Sequence, residues 1–416
     1  MRTLALLVVA GALILCGQAE ATIHVGNTAE FNAAVDRIGN RAGTIVLERG
    51  RYGKLLVGPR SLRARWLTIT ARPGAVTRWV TLAGSRRVRL VNLHVTNYWG
   101  GDARLLVYRA RGVKIQGATV VGKPGRRARI HIQLSSNVSL TGSDLSYCGN
   151  RMPCVRMPQS RGVSVVGNTF HDCYGCDFVV VARTSGITLA RNTFDRALPV
   201  SGCPGSPGCW HQDLVQVIGG TNIRIMGNLF GDQANGAAQL YISGQAPTVG
   251  IEVRNNVFLP TEPGVAPTNG IILGNAPRSS PSYPRRAVIA GNTILSGAPR
   301  GAHHLSWAGV ANSLLISEGY QTLPVEERPI VVNNVLATAS HPEYLCPNGQ
   351  IGYNFFITGA PCSELDLTGN PLIDPRGFPL EGSPLIGRGE PTWGAGRDAT
   401  GWPRDETPDI GAYEWR

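Results

Sequence analysis

The sequence predicts an all-β solenoid in which short strands recur along the chain. The segment at residues 163–170 is repeated at 187–194, 223–230 and 251–258, with looser copies at 287–294 and 328–335. Each copy has an alternating apolar triplet, then an Asn, then a second short apolar segment. Alternation with period two predicts strands rather than helices. An Asn at the same place between two strands predicts a tight bend, and a strand–bend–strand unit at this period is typical of a solenoid.

The repeats can be aligned on Asn168. The equivalent positions are Leu93, Ala118, Ser143, Asn192, Asn228, Asn256, Asn292 and Asn334. Successive spacings are 25, 25, 25 and 24 residues, and then 36, 28, 36 and 42. The early coils are therefore lean, whereas the later ones carry insertions near residues 202–210, 259–267, 277–284 and 298–327. Insertions on one side of a solenoid commonly form the wall of a binding face.

The beginning of the chain predicts export. Residues 1–21 combine Arg2, an apolar run from Leu4 to Leu15 and the cleavage pattern Ala19-Glu20-Ala21, which is typical of a secretory signal peptide cleaved after Ala21. The apolar run is too short to span a membrane, and we expect no membrane span elsewhere. The mature protein is therefore expected to be secreted or periplasmic.

A short amphipathic helix is predicted directly after this signal. Phe31, Ala34, Val35 and Ile38 share one apolar face, and Thr28 is the expected N-cap. Such a helix would cover the open end of the solenoid core.

Eight cysteines remain after the predicted cleavage, and an even count in an exported chain favours disulfides over metal. They are Cys148, Cys154, Cys173, Cys176, Cys203, Cys209, Cys346 and Cys362. The pairs Cys203/Cys209 and Cys346/Cys362 resemble local loop staples. The single C-x-x-C at Cys173 also fits a redox or zinc motif, but no second C-x-x-C accompanies it.

The net charge of +13 favours an anionic partner. Nucleic acid is not expected, because the chain has no basic tail and no nucleic-acid motif. An anionic envelope or an acidic polysaccharide remains. Only three of the forty basic residues are lysines, and genome composition explains that bias equally well.

Both ends of the mature chain resemble one family. The predicted helix is followed by G-T-I-V-L-x-x-G-x-Y at residues 43–52, and the C-terminal end has G-S-P-L-I-G at 382–387 and P-D-I-G-A-Y-E at 408–414. This order resembles the bacterial right-handed parallel β-helix proteins of the pectate-lyase-like superfamily. The resemblance implies a right-handed parallel β-helix over residues 22–386, with 387–416 as its closing segment. The superfamily holds lyases, hydrolases, epimerases, esterases and adhesins, so the fold does not fix the activity.

The strand before each bend can be placed in the same register. Its inward column is Val107, Ile132, Met157, Val181, Val217 and Ile242, and its outward column is Leu106, His131, Arg156, Val180, Gln216 and Tyr241. A neighbouring column, also expected to point outward, is Arg104, Arg129, Cys154, Phe178, Leu214 and Gln239. Because stacked coils lie ~4.8 Å apart, adjacent members of a column touch. The columns predict a basic strip of Arg104, Arg129, His131 and Arg156, beside Gln216 and Tyr241.

Two carboxylates fall in register at the start of their strands, Asp177 and Asp213. With His211 nearby they could hold Ca²⁺ or share a proton; alternatively each caps a turn separately. Residues 210–216 form the most polar segment that enters a core strand, and Trp210 could stack on a sugar ring.

One short motif is similar to that of the pectate lyases proper. Arg151-x-Pro153-x-x-Arg156 matches their R-x-P-x-x-R pattern, whose final Arg is the base. The W-I-D-H segment that precedes this motif in that family is absent here, so the resemblance transfers a role to Arg156 alone.

The leading hypothesis is a monomeric polysaccharide lyase acting on an acidic glycan. Arg104, Arg129 and Arg156 would bind carboxylates, and Arg156 or His131 would be the base. The wider candidate set adds His211 and Asp213 for catalysis, Gln216, Tyr241 and Trp210 for substrate, and Asp177 with Asp213 for calcium. A glycoside hydrolase would use Asp177 and Asp213 as its carboxylate pair. A third hypothesis is a glycan-binding or cell-surface protein without catalysis.

Overall fold

The structure is a computed structural model that describes residues 21–97, 102–123, 127–149, 152–198, 212–231, 233, 238–260, 268–274, 283–296, 313–316, 319–339, 345–394 and 396–416. The predicted signal segment up to residue 20 and the expected Cys203/Cys209 pair lie outside these ranges. Within them, no helix is both long enough and apolar enough to cross a membrane.

The chain forms stacked coils, and each regular coil contributes one strand to each of three parallel sheets. In the first sheet, neighbouring strands pair in parallel from β3 through β26. Its strands are β3 (Gly50–Val57), β5 (Ala75–Ala83), β8 (Ala103–Tyr108), β11 (Ala128–Gln133), β14 (Val155–Pro158), β23 (Asn269–Gly274), β26 (Leu314–Ile316) and the first halves of β17 (Val179–Ala190), β19 (Asp213–Met226) and β21 (Ala238–Arg254).

The second sheet follows the first along each coil and contains the alternating apolar triplets of the repeat. The later parts of β17, β19 and β21 continue into it without a break. Its other strands are β1 (Ala21–Val25), β2 (Gly43–Leu47), β4 (Leu67–Ala71), β6 (Arg86–Val91), β9 (Arg111–Gln116), β12 (Ser136–Thr141), β15 (Arg161–Val166), β24 (Arg285–Ala290), β27 (Ile330–Val332) and β29 (Gln350–Gly352).

The third sheet follows the Asn bend and contains the shortest strands. They are β7 (His94–Thr96), β10 (Thr119–Val121), β13 (Asp144–Ser146), β16 (Thr169–Tyr174), β18 (Thr193–Leu198), β20 (Leu229–Phe230), β22 (Val257–Phe258), β25 (Thr293–Ile294), β28 (Val335–Ala339), β30 (Phe355–Gly359) and β31 (Leu367–Thr368). The predicted solenoid of parallel strands is therefore confirmed.

The core is a set of columns that run through the coils. The predicted inward column of the first sheet, from Val107 to Ile242, is fully buried and in the predicted register. In the third sheet, Phe170, Phe194, Phe230 and Phe258 stack on one another, with ring centroids 4.9, 5.1 and 4.4 Å apart. Such close aromatic stacking adds to the free energy gained by burying the rings.

The Asn bends form a continuous buried ladder. Asn192 donates from Nδ2 to Oδ1 of Asn228 over 2.9 Å and to the carbonyl of Val165 over 2.9 Å, while its own Oδ1 accepts the backbone N–H of Asn168. The same contacts join Asn168, Asn192, Asn228, Asn256, Asn292, Asn334 and Asn354 and end on Asp366. Each side chain satisfies backbone groups that the bend would otherwise leave buried and unpaired.

The predicted N-terminal helix is α1 (Thr28–Ile38), and it buries Phe31, Ala34 and Ile38 against the first coils. Its N-cap is Asn27, whose side chain accepts the N–H of Glu30 over 3.0 Å. The expectation for Thr28 was wrong by one residue, because the Thr28 hydroxyl instead accepts the N–H of Gly53. Short 3₁₀ helices occupy Tyr320–Thr322, Val325–Glu327, Cys346–Asn348 and Pro391–Trp393.

The C-terminal segment packs along the side of the solenoid. Asn255 donates to the carbonyl of Arg397 over 2.6 Å, and Asn333 donates to the carbonyl of Glu390 over 2.9 Å. Inside the segment, Arg404 and Glu414 form a buried ion pair of 2.9 Å. The residues of the C-terminal motif therefore hold this segment against coils that lie far from it in sequence.

Disulfides are confirmed within the described residues. Cys346 pairs with Cys362, as the sequence suggested, and Cys148 pairs with Cys154. Cys173 pairs with Cys176, so this C-x-x-C closes a local loop.

Candidate functional site

The predicted basic strip lies on the outer face of the first sheet. Arg104 pairs in register with Arg129, and His131 pairs with Arg156, on the consecutive strands β8, β11 and β14. Arg156 is exposed, and the other three side chains are half-buried. We call these four residues the basic strip. They project from rigid strands, which fixes their spacing at about 4.8 Å per coil.

His131 is the most perturbed member of the strip. Burial, and then the charges of Arg104, Arg129 and Arg156, lower its pKa to about 4. The ring is therefore neutral at neutral pH. Its Nδ1 lies 3.4 Å from Nη2 of Arg104 and accepts from it, whereas its Nε2 is buried and has no hydrogen-bond partner among the described residues.

The arginines of the strip repel one another. Burial, followed by the nearby charges of Arg104, Arg127 and Arg156, lowers the pKa of Arg129 from its usual value. Asp102 is the acidic residue that opposes this effect. A cluster of half-buried cations with a single carboxylate nearby stabilises bound anions, because an anion relieves both the repulsion and part of the desolvation.

Two residues that the sequence analysis missed extend the same columns. Lys54 pairs in register with Trp79, and Trp79 pairs with Arg104. The Trp79 ring is 37% exposed, and its Nε1 donates to the carbonyl of Asp102 over 2.8 Å. An exposed, fixed aromatic face beside cations suits the apolar face of a sugar ring. Counting back 25 residues from Arg104 and again from Trp79 would have found both.

The later part of the predicted outward surface is covered. Val180, Gln216 and Tyr241 continue the column of His131 and Arg156 in the predicted register, yet they are only 5, 8 and 7% exposed. Burial also raises the pKa of Tyr241. Little of Gln216 or Tyr241 is left for a ligand, so we do not carry their substrate-binding role further.

The neighbouring column was predicted wrongly beyond Arg129. Cys154, Phe178, Leu214 and Gln239 are fully buried. Phe178 packs in the core, 6.0 Å from Phe170 and 6.2 Å from Phe194. The reason is local: β17 begins only at Val179, so the alternation of the strand does not extend back to Phe178.

Asp177 and Asp213 each cap the following coil. Oδ1 of Asp177 accepts the N–H of Asp213 over 2.9 Å, and Oδ1 of Asp213 accepts the N–H of Ala238 over 3.1 Å. Asp213 is fully buried. This arrangement is the separate-cap alternative. It does not suit a carboxylate pair that flanks a substrate bond, because a buried carboxylate cannot reach the bond.

The donor set for calcium is incomplete in the described part of the chain. There, the single group of three or more metal-ligating side chains is Cys154, Cys173 and Cys176, and all three sulfurs are in disulfides. Asp177 and Asp213 acquire no third carboxylate or histidine ligand in these ranges, whereas Ca²⁺ takes six to eight oxygens. We therefore derive no step through calcium. The predicted Trp210 and His211, and Arg151 of the arginine motif, lie outside the described residues.

Comparison with known proteins gives a family match for part of the chain. Residues 79–258 match the family model described as "Right handed beta helix region". A search of curated proteins found no relative with significant similarity.

Similar solved structures include pectate lyase Pel9A, at 12% identity with a TM-score of 0.49, covering 96% of this chain and 98% of that one. An alginate lyase, AlyF-OU02, is 12% identical with a TM-score of 0.46, covering 88 and 92%. PfbA, a surface adhesin of Streptococcus pneumoniae, is 10% identical with a TM-score of 0.38, covering 62 and 90%. Together, the family match and the three stacked parallel sheets identify the chain as a right-handed parallel β-helix of the pectate-lyase-like superfamily.

Proposed function

We propose that the protein binds an acidic, uronate-containing glycan along the basic strip and cleaves it by β-elimination, as a polysaccharide lyase. The observation that carries this proposal is the cluster of three arginines around a neutral histidine on adjacent strands. Trp79 and Lys54 extend the cluster along the coil axis, and this suits a linear polymer that carries a carboxylate on each sugar.

The chemistry of β-elimination matches what these residues can supply. A uronate loses the proton on the carbon next to its carboxylate, and the resulting anion must be stabilised by positive charge. Arg104 and Arg129 would bind that carboxylate, because a guanidinium holds a carboxylate in bidentate geometry. Neutralising the carboxylate makes the neighbouring C–H more acidic.

His131 is the base that we propose. In the free protein, Arg104 donates to Nδ1 and the surrounding charges hold the pKa near 4. A substrate carboxylate on Arg104 would draw the guanidinium away from Nδ1 and offset the repulsion, so the pKa of His131 would rise toward the range of an effective base. Arg156, stacked on His131 in the next coil, is the alternative base implied by the arginine motif.

A turnover assay tests this proposal. The purified protein is incubated with pectate, alginate or a glycosaminoglycan, and the unsaturated product is followed by its ultraviolet absorbance. We expect product from at least one of them, and a loss of about 100-fold or more in kcat for His131→Gln. Arg161→Gln, an exposed arginine on the second sheet, is the matched control and should retain activity. The absence of product from all three glycans with folded protein would overturn the lyase proposal.

A second candidate is a glycan-binding protein without catalysis. It is favoured by the buried Nε2 of His131 and by the engagement of Asp177 and Asp213 as caps. This candidate predicts that the protein binds an oligouronate and that Arg129→Gln weakens binding at least tenfold, while the parent protein forms no product. Measuring binding and product in the same samples separates the two candidates.

A further inference from the structure

The early coils carry a second concentration of positive charge, on another face. Between Glu48 and Asp144 the sequence contains nineteen arginines and lysines and one acidic residue, Asp102. On the second sheet, Arg86 pairs in register with Arg111, and Arg89 pairs with Lys114. We call these four residues, with Arg87 and Arg109 at the adjoining corner, the basic face.

The basic face is separate from the basic strip. The chain turns at the buried residue Ala110 between β8, which carries Arg104, and β9, which carries Arg111 and Lys114. Side chains of the two sheets therefore project from different sides of the coil. In the described ranges, none of the six cations of the basic face lies within ion-pair distance of a carboxylate.

An exposed apolar residue lies beside these cations. Leu62 is 70% exposed, the most exposed of the large hydrophobic side chains described. It lies between Arg60 and Arg63 in the loop that leads into β4. Trp66 ends this loop, and its ring lies under Arg89 and Lys114, with the cations 5.4 and 5.1 Å from the centroid.

The loop holds Leu62 outward by specific contacts. The guanidinium of Arg60 is buried and donates to the carbonyls of Gly39, Arg41 and Arg65 over 2.6, 3.1 and 2.8 Å. The N–H of Ser61 donates to Oδ1 of Asn40 over 2.9 Å. The loop is therefore tied to the end of α1 on one side and to its own base on the other. The exposure of Leu62 is a fixed feature of the fold.

We propose that the basic face and the Leu62 loop bind an anionic phospholipid surface. Stacked strands present the cations as a rigid array with about 4.8 Å between coils, which matches a planar layer of phosphate headgroups. Cations contribute through attraction to anionic lipids, and Leu and Trp contribute by entering the interface. A linear polyanion would use the cations but would leave Leu62 exposed to water. This inference does not depend on the proposed glycan activity.

Vesicle co-sedimentation tests the inference. Full-length protein is mixed with vesicles of phosphatidylcholine alone or of phosphatidylcholine with phosphatidylglycerol. We expect binding only to the anionic vesicles, and weaker binding as salt increases. Arg86→Gln with Arg111→Gln should weaken partitioning about twentyfold, since each interfacial charge is worth about fivefold. Leu62→Asp should weaken it about tenfold.

Two controls keep the result interpretable. Leu365→Asp changes another exposed leucine, 54% exposed and distant in sequence from the basic face, and should bind vesicles like the parent protein. Arg104→Gln tests the basic strip, and it should affect glycan binding without affecting vesicle binding. Circular dichroism confirms that each variant is folded. The proposal is overturned if folded parent protein does not bind anionic vesicles, or if Leu62→Asp binds them as well as the parent protein does.

Discussion

The early and the later coils of this β-helix differ in how they are held together and in what they expose. At the bend, the early coils have Leu93, Ala118 and Ser143, whereas every later coil has the Asn of the ladder. In the third sheet, the early coils bury Val95, Val120 and Leu145, whereas the next four bury stacked phenylalanines.

The difference separates architecture from function. The later coils carry insertions and are joined by the ladder and the aromatic stack, and the outer face of their first sheet is buried at Val180, Gln216 and Tyr241. The early coils have few extra residues, so their outer faces remain accessible and carry the cations. Conspicuous sequence repeats therefore mark structure here, and the regions with less conspicuous repeats carry the candidate sites.

Removing an aromatic ring from the stack should show the largest effect. Phe230 lies between Phe194 and Phe258 and is fully buried. We expect Phe230→Ala to lower the free energy of unfolding by about 4 kcal/mol. The equivalent early residue is Val120, and Val120→Ala should cost about half as much, because it leaves a smaller cavity. Urea denaturation of both variants measures the difference, and equal costs would remove this part of the comparison.

Breaking the ladder should show the next largest effect. Asn228 donates from Nδ2 to Asn256 and to the carbonyl of Leu189, and its Oδ1 accepts from Asn192. Asn228→Ala leaves several of these buried groups unpaired and should cost about 3 kcal/mol. Ser143→Ala, at the equivalent early position, should cost about 1 kcal/mol. If thermal unfolding shows that both variants lose the same stability, the ladder is not what distinguishes the later coils.

The smallest expected effect is the pH dependence caused by His131. Its pKa is lowered from 6.5 to about 4 in the folded protein. The unfolded chain therefore takes up a proton first, so the free energy of unfolding should fall as pH decreases from 6.5 to 4 and then level off. The expected loss is on the order of 1 kcal/mol, because the ring is partly exposed and its charge is screened. His131→Gln should lack this component, and identical pH profiles for parent and variant would contradict it.

Much of the fold could be predicted from the sequence, because stacking makes one spacing control many contacts. The ladder from Asn168 to Asn334 and the buried column from Val107 to Ile242 followed from alignment alone. Asn354 and Asp366 extend the ladder beyond the last recognised repeat, where coils of 20 and 12 residues break the earlier spacing.

The candidate site could be predicted only in part. Alignment brought Arg104, Arg129, His131 and Arg156 together, but it could not show which outward positions other segments cover. It also aligned Asp177 with Asp213 without showing that each accepts a backbone N–H from the next coil. Disulfide pairing was likewise beyond the sequence, since eight cysteines allow 105 connectivities.

The most direct test of the central claim is a calorimetric titration of an oligouronate into three proteins. They are the parent protein, the double variant Arg104→Gln with Arg129→Gln, and a control in which Arg161 and Arg191 are both changed to Gln. If the basic strip is the glycan site, the double variant loses affinity by about 100-fold or more, and the control binds like the parent protein. Equal affinity for all three proteins, or a comparable loss in the control, would contradict the claim.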